Sequence, residues 1–124
     1  MRALFQSQVQ VDLPDAPQLV LVTDLDGTLL AGDPADRRRL YRWLDDCREQ
    51  VLHIFATGRE RRSVAELFDA SEHAPLRQPH LVISDVGCTV ACGDSFELVP
   101  LVVDEIERLW ADRAATVDAL ISGE

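Results

Sequence analysis

The run Val20-Leu21-Val22-Thr23, followed at once by Asp24-Leu25-Asp26-Gly27-Thr28, constrains this chain more than any other feature in it. A short apolar run rich in β-branched residues predicts a strand covered on both faces, as in a parallel sheet. Such a strand delivers Asp24 to its carboxyl end, which is where open α/β sheets bind ligands. Asp26 faces the same space once the chain leaves the strand, and Gly27 permits the tight exit. Two carboxylates this close repel each other unless a cation lies between them. A hard, oxygen-preferring ion such as Mg2+ is the natural one. The plain alternative is a turn that merely uses Asp and Gly. If each fixed position is filled at roughly the glycine frequency of about 7%, however, a chance D-x-D-G-T is rare in so short a chain.

The pattern then repeats. Val51-Leu52-His53-Ile54-Phe55-Ala56 is a second apolar strand, and it ends in Thr57-Gly58-Arg59. If it neighbours the first, the interstrand spacing of about 4.8 Å puts Thr57 beside Asp24. The Thr57 hydroxyl and the backbone N–H groups after it then suit a phosphoryl oxygen. Between the two strands, Asp33-Pro34 reads as an N-cap with proline at the first helical position. Leu40, Trp43, Leu44 and Cys47 recur at helical spacing behind it, while Arg37, Arg38, Arg39 and Arg42 read as a solvated face. Ser63 and Glu66 have the spacing of a capping box, with Val64, Leu67 and Phe68 as the apolar stripe. His80 to Ser84 is a third strand, and Val86-Gly87 leads into a short β segment that turns at Gly93-Asp94. Val102, Val103, Ile106, Leu109 and Trp110 mark an amphipathic helix, and Val117, Leu120 and Ile121 a further turn or helix. A strand-helix-strand-helix-strand order predicts an α/β fold with a parallel sheet.

Taken together, D-L-D-G-T after an apolar strand and Thr57-Gly58-Arg59 after the next resemble the first two motifs of the haloacid dehalogenase-like superfamily. The later stretches Ser63-Val64-Ala65-Glu66-Leu67 and Pro79 to Val90 are most similar to its sucrose-6-phosphate phosphatases and related sugar phosphatases. The resemblance covers about residues 18 to 121. It implies a Rossmann-like core, here partial with about three core strands, and the beginning of an inserted α/β cap. Residues 1–17 would be an amino-terminal extension, 18–90 the partial core and 91–124 the start of the cap. It also implies a Mg2+-dependent phosphatase acting on a small phosphorylated sugar. Asp24 would attack phosphorus to give an aspartyl-phosphate, and Asp26 would be the general acid and base. The Asp24 carboxylate and the Asp26 backbone carbonyl would hold Mg2+, and Thr57, Gly58 and Thr28 the phosphate.

Two departures from that pattern stand out. The superfamily uses a basic residue, usually Lys, against the phosphoryl oxygens, yet all twelve basic residues here are Arg. A later acidic motif is also expected; Gly93-Asp94 begins like one, but Leu98 stands where its second acid belongs. Asp85 follows the third strand, two strands from Asp24 or about 10 Å, which is too far for a shared ligand. The resemblance is therefore to the amino-terminal half of a phosphatase, and the alternative is a non-catalytic remnant that binds phosphate, a metal or another protein. A half-sheet would leave the first strand's outer edge bare, a template for self-association or a complementary chain.

Composition narrows the partners. With 124 residues and a net charge of −10, the chain is one domain and a poor generic binder of nucleic acid or anionic membranes. Its start has too short an apolar stretch for a signal peptide, and no segment suits a bilayer span. A cytoplasmic protein is the expectation. Cys47, Cys88 and Cys92 read as reduced, mostly buried thiols, and His53 as a hydrogen-bonded core residue. In the first 17 residues, Val9 and Val11 allow either an added strand or a loose extension.

Overall fold

The computed structural model describes residues 8–9, 12–69 and 74–123. Three parallel strands and one antiparallel strand form a single sheet in the order β1 (Leu19–Thr23), β2 (Val51–Ala56), β3 (Leu81–Ser84), β4 (Thr89–Cys92). The register sets Thr23 opposite Phe55, Phe55 opposite Val82 and Val82 opposite Ala91. The carboxyl ends of β1, β2 and β3 therefore share one rim of the sheet. Crossover helices α1 (Pro34–Asp46) and α2 (Arg61–Leu67) join the parallel strands, and α3 (Pro100–Ser122) follows β4. The expected α/β architecture and strand order are what the chain adopts. Residue 91 lies within β4, and Gly93 makes the expected turn. A Cβ there would meet the Pro79 carbonyl oxygen at 1.7 Å, so only glycine allows the hydrogen bond from its N–H to the His80 carbonyl.

Two apolar clusters flank the sheet. On one face, Phe55 and Val82 pack with Leu25, Leu29, Val64 and Leu67, with α1 contributing Leu40. On the other, Leu81 and Cys92 pack with Val9 and Val99, joined by Ile54, Val90 and Val102. Val9 is buried there outside any strand, while Val11 lies outside the described residues.

β1 corrects an expectation. Val20 and Val22 share the face of Ile54 by register, yet they are 50% and 53% exposed. Among the described residues the second cluster reaches β3 and β4 but not β1. The strand was expected to be covered on both faces because a continuous apolar run reports only that a cover suits it, not that one is supplied.

Local chemistry explains the remaining elements. Asp33 accepts the Ala35 N–H at 2.8 Å, and Pro34 opens α1 as expected. The anticipated capping box does not form: Glu60 occupies the N-cap of α2 without a side-chain cap bond, and Ser63 lies inside the helix. Its hydroxyl accepts from Arg59 instead. Arg37 is no solvated-face residue; it is buried, its guanidinium donating to the carbonyls of Leu29, Leu30, Gly32, Ala74 and Pro75. Helical spacing marks a stripe but cannot tell which of Arg37, Arg38, Arg39 and Arg42 points inward. Of the three free cysteines only Cys92 is buried, whereas Cys88 is exposed and Cys47 half-buried. The apolar positions 117, 120 and 121 start no separate element, because α3 runs unbroken to Ser122, with Gly123 in the left-handed conformation at its end. Among the described residues no helix is long and apolar enough to cross a membrane.

Candidate active site

Asp24 leaves β1 in extended conformation, and its Oδ1 accepts the Leu25 N–H at 2.8 Å. The chain then closes into a single wide turn. The Leu29 N–H reaches the Asp24 carbonyl, and the Leu30 N–H reaches the Leu25 carbonyl. Gly27 sits at φ +74° with open space around it, so backbone conformation rather than crowding requires glycine there. Leu25 and Leu29 are drawn into the core, which turns Asp24, Asp26 and Thr28 outward to solvent. The apolar and polar residues of this turn thus divide between anchor and presentation.

On the neighbouring strand, Thr57 is buried and its N–H donates to the Ile83 carbonyl of β3 at 2.9 Å. Because Thr23 lies opposite Phe55, Asp24 and Thr57 emerge from adjacent parallel strands at the same rim. The Thr57 Oγ1 accepts the Arg59 N–H at 3.1 Å. Of the N–H groups after Thr57 that were expected to face a phosphoryl oxygen, that of Arg59 is therefore engaged. The exposed Gly58 sits between the two residues.

Arg59 binds more of this rim than any other side chain. Its Nε donates to Asp26 Oδ2 at 2.6 Å, and its Nη2 to Asp26 Oδ1 at 2.7 Å. This is the two-pronged geometry that a guanidinium offers a carboxylate. Nη1 reaches Ser63 Oγ at 2.9 Å, and the Arg59 carbonyl accepts the Asp85 N–H at 2.8 Å. The hydrogen bonds from Arg59 to Asp26 hold its guanidinium above its usual pKa. Arg59 stood in the quoted sequence motif with no role assigned. The available signal was a cation two residues past a strand-ending Thr, facing a site with two carboxylates.

Asp85 takes a different part. Its Oδ2 accepts the Thr89 hydroxyl at 2.8 Å and the Ser84 hydroxyl at 3.3 Å, and Ser84 and Thr89 also bond to each other. This carboxylate ties β3 to β4 and does not join Asp24. Asp85 and Val86 both adopt positive φ, 53° and 56°, an uncommon conformation for a β-branched residue.

Hard oxygens from Asp24 and Asp26 suit Mg2+, which is commonly held by one or two carboxylates together with water and substrate phosphate. Among the described residues no cluster of three or more His, Cys, Asp or Glu side chains gathers around a metal-sized space. The expected protein donors at this rim are the Asp24 carboxylate and the Asp26 backbone carbonyl, while Arg59 holds the two carboxylate oxygens of Asp26.

Within β2, behind the rim, the buried His53 shares a 2.9 Å hydrogen bond with the hydroxyl of Thr23, the last residue of β1. Its backbone N–H donates to His80 Nδ1 at 3.0 Å. Burial, with a smaller contribution from His80, lowers the His53 pKa to about 4. This is the hydrogen-bonded core histidine that was expected.

Comparison with known proteins places the chain in a family. The sucrose-6F-phosphate phosphohydrolase family matches residues 17–121. A glucosylglycerol-phosphate synthase of Pseudomonas anguilliseptica is 34% identical over 102 residues, covering 82% of this chain and 13% of the relative. A probable sucrose-phosphatase of Arabidopsis thaliana is 30% identical over 103 residues, covering 79% of this chain and 24% of the relative. The X-ray structure of the sucrose-phosphatase from Synechocystis sp. PCC6803, in complex with sucrose and phosphate, superposes with a TM-score of 0.60 at 28% identity. It matches 74% of this chain and 35% of that one. A haloacid dehalogenase-like hydrolase from Bacillus subtilis, at 16% identity and a TM-score of 0.56, shares the fold. The chain spans a small part of the length of each relative.

The chain belongs to the sucrose-6F-phosphate phosphohydrolase family.

Proposed function

We propose that this family member is a phosphatase of the haloacid dehalogenase type, acting on a small phosphorylated sugar of the sucrose-6-phosphate kind. The observation that carries the reading is the rim itself: Asp24, Asp26 and Thr57 emerge at the ends of two adjacent parallel strands. In this reading the Asp24 carboxylate attacks phosphorus and the sugar oxygen departs with a proton from Asp26. A water molecule then gives its proton to Asp26 and attacks the aspartyl-phosphate, releasing phosphate and restoring Asp24. Thr57, Gly58 and Thr28 orient the phosphoryl oxygens. Mg2+, held by Asp24 and Asp26, supplies charge neutralisation when bound. Residues from about 91 onward belong to the start of a cap over this rim. A cytoplasmic setting is part of the same proposal and rests on the three free thiols.

The test is activity towards sucrose-6-phosphate and an aryl phosphate with Mg2+ present. Asp24→Asn is expected to abolish turnover, and Asp26→Asn to slow it by about 10²- to 10⁴-fold, the usual worth of general acid–base catalysis. A wild-type rate in Asp24→Asn would refute the nucleophile. A second reading, a phosphate-binding remnant, is favoured by one observation: Arg59 holds the carboxylate of Asp26. A chain that binds phosphate but shows no turnover with Mg2+ would establish that reading.

A further inference from the structure

The two hydrogen bonds between Arg59 and Asp26 use the guanidinium edge formed by Nε and Nη2. That edge is also the one that matches two oxygens of a phosphate group. It cannot serve both. The third nitrogen, Nη1, is held by Ser63 Oγ, and the Arg59 backbone is pinned at both ends, its N–H on Thr57 Oγ1 and its carbonyl on the Asp85 N–H. The side chain is thus anchored at its root while its recognition edge lies against a partly solvent-exposed carboxylate. Side-chain exposure is 30% for Arg59 and 57% for Asp26. A partly exposed pair of this kind is weakened by the water around it. A doubly charged anion at the same rim competes for it readily.

An anion at this rim has to sit beside the two exposed carboxylates of Asp24 and Asp26, and a neighbouring cation offsets that repulsion. Arg61 and Arg62 line the adjoining cleft with Asp85 and Thr89. Arg59 is the arginine tied directly to both Asp26 and Thr57.

We propose that Arg59 is the phosphate-binding cation of this site, and that Asp26 and the phosphate compete for its Nε/Nη2 edge. The proposal deepens the phosphatase reading and rests on it for the place of the phosphate. In the phosphate-free state the guanidinium occupies Asp26. When phosphate arrives, the guanidinium turns to the phosphoryl oxygens and gives up its two hydrogen bonds to the Asp26 carboxylate, so occupancy of the site and the state of the acid–base group are linked.

The experiment titrates the 124-residue chain with inorganic phosphate in the presence of a chelator, following the Arg59 Nε–H and Asp26 carboxyl NMR signals together with the dissociation constant. Phosphate is expected to shift both signals in parallel. Asp26→Asn is expected to tighten phosphate binding about two- to fivefold, the worth of an exposed pair. Arg59→Gln is expected to weaken it about tenfold, and Arg59→Lys, which keeps the charge but loses the fork, to fall between. The deciding arm is the double variant. If the two groups compete, Asp26→Asn has no effect in the Arg59→Gln background; if Asp26 merely repels phosphate through space, its gain persists there, and the proposal falls. Asp26→Asn leaves the Ser63, Thr57 and Asp85 bonds of Arg59 in place, so that arm stands even if Arg59→Gln unfolds. Phosphate binding that leaves the Arg59 signal unmoved overturns the competition while preserving the phosphate site. No phosphate response in either wild type or Asp26→Asn overturns the proposal outright. The role of Asp24 is judged separately, by turnover.

Discussion

The two faces of the sheet were written in the same apolar alphabet and ended differently. The face of Phe55 and Val82 is closed by Leu25, Leu29, Val64 and Leu67, which lie in the connections that join β1 to β2 and β2 to β3. The face of Ile54 and Leu81 is closed at β3 and β4 by Val9, Val99 and Val102, whereas Val20 and Val22 stay open at β1. Leu109, Trp110, Leu120 and Ile121 of α3 are likewise exposed. Local crossovers supply their own cover, because a short connection places its helix directly over the strands it joins. A face covered from chain before β1 and after β4 has no such guarantee.

This contrast is most easily broken at its closed side. Phe55 is fully buried, so Phe55→Ala is expected to cost about 3–5 kcal/mol through lost transfer energy and a cavity, leaving the chain largely unfolded in a urea melt. A loss below about 1 kcal/mol would mean that this face is no better packed than the other.

The next largest effect is one of pH. His53 lies on the closed face with a pKa near 4, below the ordinary 6.5, and His80 is lowered too, chiefly by burial. The unfolded chain takes up a proton near pH 6.5 that folded His53 refuses until about pH 4. Its contribution to stability is thus complete above pH 6.5 and lost as pH falls towards 4, by at most about 1.4 kcal/mol per pH unit for the single group. Urea midpoints at pH 7 and pH 5 check this, and His53→Gln is expected to flatten the dependence. An unchanged slope in that variant would remove His53 from the account.

The smallest effect belongs to the open face. Val22→Thr is expected to change stability by less than about 0.5 kcal/mol. It is also expected to lower any concentration-dependent association through β1, the outer strand of the sheet among the described residues, seen by light scattering. A loss comparable to that of Phe55→Ala would show that something covers this strand.

Much of this was legible beforehand because it is local. β1, β2 and β3, the N-cap at Asp33, the turn at Gly93 and the rim carrying Asp24, Asp26 and Thr57 each follow from a few neighbouring residues. What was not legible depends on partners far apart in sequence. Ser63 and Glu66 have capping-box spacing, but Arg59 takes the Ser63 hydroxyl. Arg59 meets Asp26 across 33 positions. Arg37 looked like its three basic neighbours until the chain around Pro75 folded over it. Spacing encodes periodic elements well; it does not encode which charge finds which distant acceptor.

Arg37 has a further consequence for the site. Its guanidinium collects the carbonyls of Leu29, Leu30 and Gly32 around a positive centre, the closest at 2.6 Å. A calcium ion does the same for the loops it organises, but this ion is tethered to the backbone. It cannot be chelated or exchanged. Enclosed by protein, it is also little affected by the ionic strength that weakens surface pairs. The stretch immediately after Asp24–Thr28 therefore has a built-in counter-ion, and its shape is expected to hold from dilute buffer to molar salt, while the exposed Arg59–Asp26 pair beside it loosens. One arginine is a permanent fixture of the loop, and the other is a contact that the solution can adjust.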